Sequence, residues 1–517
     1  MKKKLALILC FALIFSIFSG CTQKEDTYTP TGNGLSSEDE DVTRPTQVIV
    51  TSQDRSLPYY ADRSLNPYTC SDYVNKTILS LVYQGLFTVD AQYNVSPVLC
   101  SGYQVSRDMK TYTFHLAKAT FSDGMELTAA DVVASYNAAM EAGVYKGRFT
   151  HVYSIEATED GAVVFRLKIP YENLPILLDI PIVREGSTAE ERPLGTGPYA
   201  YSGDQRLRLR RRMDWWCDAK MPIASEWIDL EKAENPVQIR DDFEVAGLGM
   251  VASDPGNDNY VDFHSDYELW DCESGLFLYL GCNVRGEVFS NAEVRKALTY
   301  AVDRNSIVEE FYRGFAYAAG VPASPKSPYY SSALAGKIRY NPMELSSAIS
   351  NANLQGSVVV MLVNSDDVTR VRVAREIARV LGLCGLTVTM SELSGNDYLN
   401  ALKNGRYDIH LGQTKLSANM DLTPFFTTYG ALSYGGMNDA VLYALCQESL
   451  ANIGNYYTLH QKILEDGRLC PVLFRSYAIF AQRGDYTDLA PARDRVFYYD
   501  LGISMEDILI DENENET

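Results

Sequence analysis

Between Asp108 and Tyr136 the hydrophobic and polar positions change period in quick succession. Tyr112, Phe114 and Leu116 alternate with Thr113, His115 and Ala117, the two-residue period of a strand with one buried face. Asp123-Gly124 then marks a turn, because glycine adopts positive φ without steric cost. Thr128 is placed to cap a helix, with Asp131 at its third position near the positive end of the helix dipole. Val132, Tyr136 and Met140 fall on one face of that helix.

The same reading carries along the chain. Val48–Ser52 is expected to be a first strand, followed by a loop at Asn66-Pro67, and Lys76–Leu86 an apolar helix running into Gly85. Gly195-Thr-Gly-Pro-Tyr199 introduces another strand. Its glycines lead into Pro-Tyr rather than a helix N-terminus, which disfavours phosphate binding. Ser290–Gly314 reads as one helix, with Ser290 and Glu293 as a capping box and Val294, Ala297, Leu298, Ala301 and Val302 on one face. Thr369–Leu381 is a further amphipathic helix with Arg370, Arg372, Arg375 and Arg379 on its wetter sides. Leu386–Met390 and Tyr407–Gln413 follow as strands. Helix and strand in alternation predict an α/β fold.

The ends of the chain have a different character. Lys2, Lys3 and Lys4 precede an apolar run from Leu5 to Phe18 and then Ser19-Gly20-Cys21, the layout of a secretory signal peptide over residues 1–20. The run is shorter than the roughly 20 residues a membrane span needs. Ser-Gly-Cys resembles a bacterial lipobox, which implies lipidation of Cys21, with Phe18 standing where leucine is usual. Residues 22–45 are polar and acidic, unable to bury enough surface to offset their ordering entropy, and as a flexible tether span on the order of 27 Å. The acidic tail 509–517 is expected to be disordered.

A net charge of −21 over 517 residues argues against nucleic acid as a partner and for a body that avoids anionic lipid. The length beyond leader and tether implies two or three domains. Cys70, Cys100, Cys217, Cys272, Cys282, Cys384, Cys446 and Cys470 are scattered with no CxxC pair, so they read as small buried hydrophobes rather than a zinc site. No GxSxG, HExxH, P-loop or GxGxxG motif occurs, and His115, His151, His264, His410 and His460 stand apart from one another, so an enzyme is the disfavoured class. No cofactor is called for.

The stretch DMKTYTFHLAKATFSDGMELTAADVVASY, residues 108–136, resembles the signature of the extracytoplasmic solute-binding proteins of family 5, the peptide- and nickel-binding subunits of ABC importers. It departs from that signature at Ala117 and Ala119. The helix around Gln84-Gly85, the segment LRLRRRMDWW at 207–216 and EVRKALTYAVDRNSIV after LYLGCN resemble further motifs of that family. The resemblance implies a two-lobed α/β fold of the periplasmic-binding-protein type with an extra subdomain. It places lobe I at 46–87, 186–278 and 476–508, an inserted subdomain at 88–185, and lobe II at 279–475. Two crossings, near 275–282 and 472–480, would act as hinges.

The resemblance also implies a ligand loop after the strand Tyr407–Gln413. There the family places an aspartate that anchors a peptide's ammonium group; this chain has Asn419 at that position and Leu416 where tryptophan is usual. Asp421 is either a substitute for that charge or the cap of a short helix containing Pro424. Gln413, Lys415, Ser417, Asn419 and Asp421 are the expected ligand residues on this side, and Tyr68, Thr69 and Cys70 on the other. The function implied is that of a lipid-anchored, monomeric binding protein outside the cell membrane. It would capture peptides between its lobes by main-chain hydrogen bonds and deliver them to an ABC permease and its ATPase subunits. The alternatives are a sensor of peptide signals and a binder of nickel or another small solute, for which His410 lies near the loop.

Overall fold

Two long strands, Tyr267–Cys282 and Leu469–Gln482, run antiparallel to each other and organise what surrounds them. They belong to a computed structural model that describes residues 55–203, 206–217, 225–257, 260–483, 489–493 and 495. The signal peptide, Cys21, the tether, the strand expected at Val48–Ser52 and the acidic tail lie outside the described residues.

The two strands pair twice, with different neighbours each time. Tyr267–Glu273 lies opposite Ser476–Gln482, and Met250–Ser253 joins the free edge of that stretch. Phe277–Gly281 lies opposite Leu469–Phe474, and Ile409–Lys415 pairs on its other side. Between Glu273 and Phe277 the register slips, and Gly275 takes a φ of +72°, a left-handed conformation that disfavours residues with a Cβ. From Cys272 to Cys282 nearly every side chain is buried, as in a central strand covered on both faces.

Past Ile409–Lys415 the sheet continues in parallel through Val358–Asn364 to Thr387–Leu393, the last two joined by the helix Val368–Leu383. On the other side of the slip, Arg55–Tyr60 pairs in parallel with Trp227–Ala233, which continues into Arg208–Arg211 and Tyr199–Ser202. The whole is a two-lobed α/β fold.

A separate antiparallel sheet of Cys100–Val105, Thr111–Leu116, Val163–Leu167 and Val152–Ala157 carries the 108–136 pattern. Tyr112 and Phe114 are buried and His115 is exposed. Phe114 meets Phe87 and Phe165 edge to face at 5.7 and 5.5 Å. Thr128 and Asp131 cap the helix Ala129–Glu141 reciprocally, with Thr128 N donating to Asp131 Oδ2 at 2.8 Å and Asp131 N to Thr128 Oγ1 at 3.4 Å. The glycines of Gly195–Gly197 serve packing: a Cβ on Gly195 would stand 2.1 Å from the Val82 carbonyl oxygen at the end of the helix Tyr73–Val82.

Two expectations need correction. Ser290–Gly314 is not one helix: Asn291, not Ser290, caps a helix Ala292–Leu298, a 3-10 turn follows at Thr299–Ala301, and Asp303 caps a second helix Arg304–Tyr312. The break is stabilised by the buried Arg304 guanidinium, which donates to the carbonyls of Thr299 at 3.0 Å and Val302 at 3.3 Å that no longer serve a continuous helix. In Val368–Leu383, Arg372, Arg375 and Arg379 are exposed but Arg370 is buried, 3.8 Å from the carboxylate of the capping residue Asp367.

Candidate functional site

The register slip leaves a gap between elements that come from far apart in the chain. A cavity of about 210 Å³ opens there. Ser71, Tyr73 and Lys76 enter it from the start of the helix Tyr73–Val82, Ser274 and Leu276 from the slip, and Lys415 from the end of Ile409–Lys415. Tyr73 stacks on Tyr477 of the second long strand with ring centroids 3.6 Å apart. That aromatic pair separates this cavity from a second one of about 300 Å³, which also touches Asp72, Asp254 and Tyr260. The helix begins here because the Asp72 side chain accepts from Asn75 N at 3.1 Å, and Asp72 is itself paired with Arg63.

Arg475 stands beside the same gap, 5 % exposed. Its guanidinium donates to both oxygens of Asp254, at 3.0 and 2.8 Å, to Gln413 Oε1 at 3.1 Å and to Asp367 at 3.4 Å. The Tyr312 ring lies 5.5 Å from it. Burial opposes the charge of Arg475, but the carboxylates of Asp254 and Asp367 outweigh it and hold the guanidinium above its ordinary range. One side chain thus ties three separate elements around the slip.

The loop after Ile409–Lys415 is held by a different partner. Asn419 is buried, accepts from Ser417 Oγ at 2.6 Å and donates to the hydroxyl of Tyr171, and its carbonyl accepts from the Tyr456 hydroxyl. Asp421 accepts from Thr423 N at 2.8 Å, at the foot of the short helix Thr423–Phe426, and lies 3.3 Å from His151 Nε2. His151 also reaches Thr423 Oγ1 at 3.1 Å. Tyr171 and Asn419 border a third cavity of about 250 Å³, with Tyr329 and Tyr456 in its wall.

The expected ligand residues therefore separate into groups. Lys415 lines the first cavity, Asn419 the third, and Gln413 is bonded to Arg475. Ser417 and Asp421 are engaged within and across the loop. Tyr68 is buried and donates to the Pro181 carbonyl at 3.0 Å, Thr69 is exposed, and the buried Cys70 thiol is pushed up to about 12 by desolvation. Tyr73 and Tyr477, which shape the first two cavities, and Arg475 were not singled out from sequence. The one available signal was Ser274-Gly275 inside an otherwise apolar strand pattern, the mark of a bulge.

His410 does not face any of these cavities. It is 1 % exposed between the rings of Tyr279 and Tyr407, and burial lowers its pKa to about 4. His460, fully buried, is lowered to about 3 for the same reason. Among the described residues no three His, Cys, Asp or Glu side chains come together as a metal set, and the eight described cysteines are buried. Both histidines take up protons in the unfolded chain before they do in the folded one. Their contribution is thus fully present above the ordinary histidine value and lost as pH falls from there through about 4 and about 3. Denaturant melts from about pH 7 to about pH 5 are expected to lose roughly 2 kcal/mol per histidine, a loss that a His460→Gln variant shows at only half size.

Comparison with known proteins agrees with the geometry. The model for bacterial extracellular solute-binding proteins, family 5 (middle), matches residues 94–436. The glutathione-binding protein GsiB of Escherichia coli is 25 % identical over 286 residues, covering 52 % of this chain and 56 % of GsiB, so the chain spans about half the length of the curated relatives it matches. Among solved structures, the protein AppA of Clostridium difficile superposes with a TM-score of 0.73 at 16 % identity, over 87 % of this chain and 100 % of its own. The oligopeptide-binding protein AppA of Bacillus subtilis, solved with a nonapeptide, superposes at 0.62 and 20 % identity, over 86 % and 97 %. The fold is that of the periplasmic binding proteins, and the chain belongs to the bacterial extracellular solute-binding proteins of family 5.

Proposed function

We propose that this protein is the substrate-binding component of an ABC importer, which captures peptides in the gap between its lobes and hands them to a membrane permease. The observation that carries the reading is the cavity at the register slip. It gathers the start of one helix, both long strands and the end of Ile409–Lys415 around a stacked tyrosine pair. Tyrosines on a rigid frame give large contact area at small entropic cost, which suits ligands of varied side chains. The relatives named for glutathione and for an oligopeptide support the class of solute.

In this reading lobe I comprises 46–87, 186–278 and 476–508, with 88–185 inserted, and lobe II comprises 279–475. The hinges lie at Glu273–Phe277 and Phe474–Ser476, where the paired strands change neighbours. Rotation there opens the gap to solvent and closes it over a ligand. A lipid on Cys21 and the acidic tether hold the monomer on the outer face of the membrane, within reach of the permease.

Mass spectrometry of solute that co-purifies with the chain, followed by thermal melts with a peptide panel, tests the proposal. A peptide at 100 times its dissociation constant is expected to add roughly 2.7 kcal/mol of stability. A panel of two- to about nine-residue peptides that leaves the melting curve unmoved, with non-peptide solute in the purified protein, contradicts it.

A further inference from the structure

Residues 88–185 meet their two neighbours through different kinds of bond. We propose that the contact with lobe II is a latch, made by His151, Tyr171 and Glu172 only while the lobes are closed. Asn419 and Asp421 then hold the clamp shut and do not hold the ligand. This rests on the two-lobed reading above, in which 88–185 travels with lobe I, and not on the ligand's being a peptide.

Toward lobe I the contact is main-chain pairing. Gln84 bridges Ile182 and Val183 bridges Gly195. Phe87 N donates to the Leu178 carbonyl at 3.1 Å, and Ser122 N to that of Gly195 at 3.0 Å. The buried Arg212 guanidinium adds bonds to the carbonyls of Thr120 at 3.0 Å and Phe121 at 2.8 Å. Such a junction parts only by local unfolding, so 88–185 and lobe I move as one body.

Toward lobe II the contact is a short row of polar bonds. Tyr171 accepts from Asn419, and His151 Nε2 lies 3.3 Å from Asp421 and 3.1 Å from Thr423 Oγ1. Glu172 bonds twice: its N–H donates to the Leu450 carbonyl at 2.9 Å, and its carboxylate accepts from Ile453 N at 2.6 Å. Leu450 lies in the last turn of the helix Ala440–Ala451, whose carbonyls no intrahelical amide reaches. Residues 88–185 thus supply a donor that this helix end lacks. The bonds border the 250 Å³ cavity, and a contact that is not filled has less dispersion energy to lose on parting.

None of His151, Tyr171, Glu172, Asn419 and Asp421 is among the described residues lining the first cavity. Water takes the place of each bond when the lobes part, so each one favours closure only modestly. Contacts made in one of two states shift the balance between them without touching the ligand.

Small-angle scattering and hydrogen exchange on the full chain, stripped of co-purified solute, test the latch in Tyr171→Phe, His151→Ala and Asn419→Ala. Each variant is expected to have a larger radius of gyration than the parent. The amides of Glu172 and Ile453 exchange about tenfold faster, while Thr111–Leu116 keeps its protection. Glu159→Gln, exposed beyond the far end of the strand Val152–Ala157, changes neither. Tyr171→Phe removes a single hydroxyl and keeps the test open if the alanine variants fail to fold.

Faster exchange with an unchanged radius makes the contact ordinary packing and overturns the latch. So does a larger radius without faster exchange at these two amides, or no change in either. Where a panel peptide binds, the variants weaken it and its N-acetyl form alike; a loss confined to the free amine makes Asn419 a ligand anchor and overturns the latch. Variants that open while no peptide moves the parent's melting curve support the latch and overturn the peptide reading. Variants that stay closed in a chain that binds no peptide overturn both.

Discussion

Arg475→Met is expected to lower the unfolding free energy by about 3–5 kcal/mol, read from urea denaturation at neutral pH. Arg475 is 5 % exposed and its guanidinium answers Asp254, Asp367 and Gln413 at once. Methionine fills much of the same volume, so the loss is not one of packing. It comes from leaving two carboxylates beside each other in a site that water reaches poorly. The two carboxylates belong to opposite sides of the slip: Asp254 follows Met250–Ser253, and Asp367 caps Val368–Leu383. The same variant is therefore expected to loosen the gap between the lobes. A double variant that also replaces Asp254 with asparagine should recover part of the loss, because it removes one of the orphaned charges. Were R475M as stable as the parent, the guanidinium would not be the tie that the hydrogen bonds describe.

Phe277→Ala is expected to cost about 3–5 kcal/mol in the same measurement. Phe277 is fully buried at the point where pairing of the two long strands resumes after the slip. Its ring stacks on Phe474, opposite in register, at 5.0 Å and on Tyr279 at 5.5 Å. Truncation removes both contacts and leaves a void between strands that are themselves too constrained to collapse into it. Phe277→Leu, which keeps most of the volume, should lose less than half as much. An F277A variant that lost under about 1 kcal/mol would mean that the strands rejoin loosely, and that the slip is a flexible region rather than a defined hinge.

Much of the architecture was legible because it is local. The strand at Tyr112–Leu116, the turn at Gly124 and the Thr128–Asp131 cap are set by residues within a few positions of one another, and the structure contains all three. The single helix expected at 290–314 failed for a reason that periodicity cannot carry. Its apolar face is continuous, but Arg304 draws the carbonyls of Thr299 and Val302 out of the helical pattern while also donating to Ala319 and Pro471. The burial of Arg370 is likewise a tertiary fact on a helix whose other arginines are exposed.

The site was less legible. The strand Tyr407–Gln413 and Lys415 in the loop after it were legible, although the strand runs on to Lys415, yet Tyr73 and Tyr477 sit in ordinary helix and strand patterns more than 400 positions apart and meet only through the fold. The loop at Asn419 and Asp421 carries the polar residues expected of a binding segment. Its partners are Tyr171 and His151, which lie on the far side of a long sequence separation.

The central claim is that a two-lobed clamp closes on a peptide in the cavity at Tyr73, Lys415 and Tyr477. Small-angle X-ray scattering of the full chain, with and without a saturating peptide that co-purifies with it, tests this most directly. The account predicts a smaller radius of gyration on binding, and no such change for a Tyr73→Ala, Tyr477→Ala double variant that remains folded. An unchanged radius with peptide bound, or equal compaction in the double variant, contradicts it.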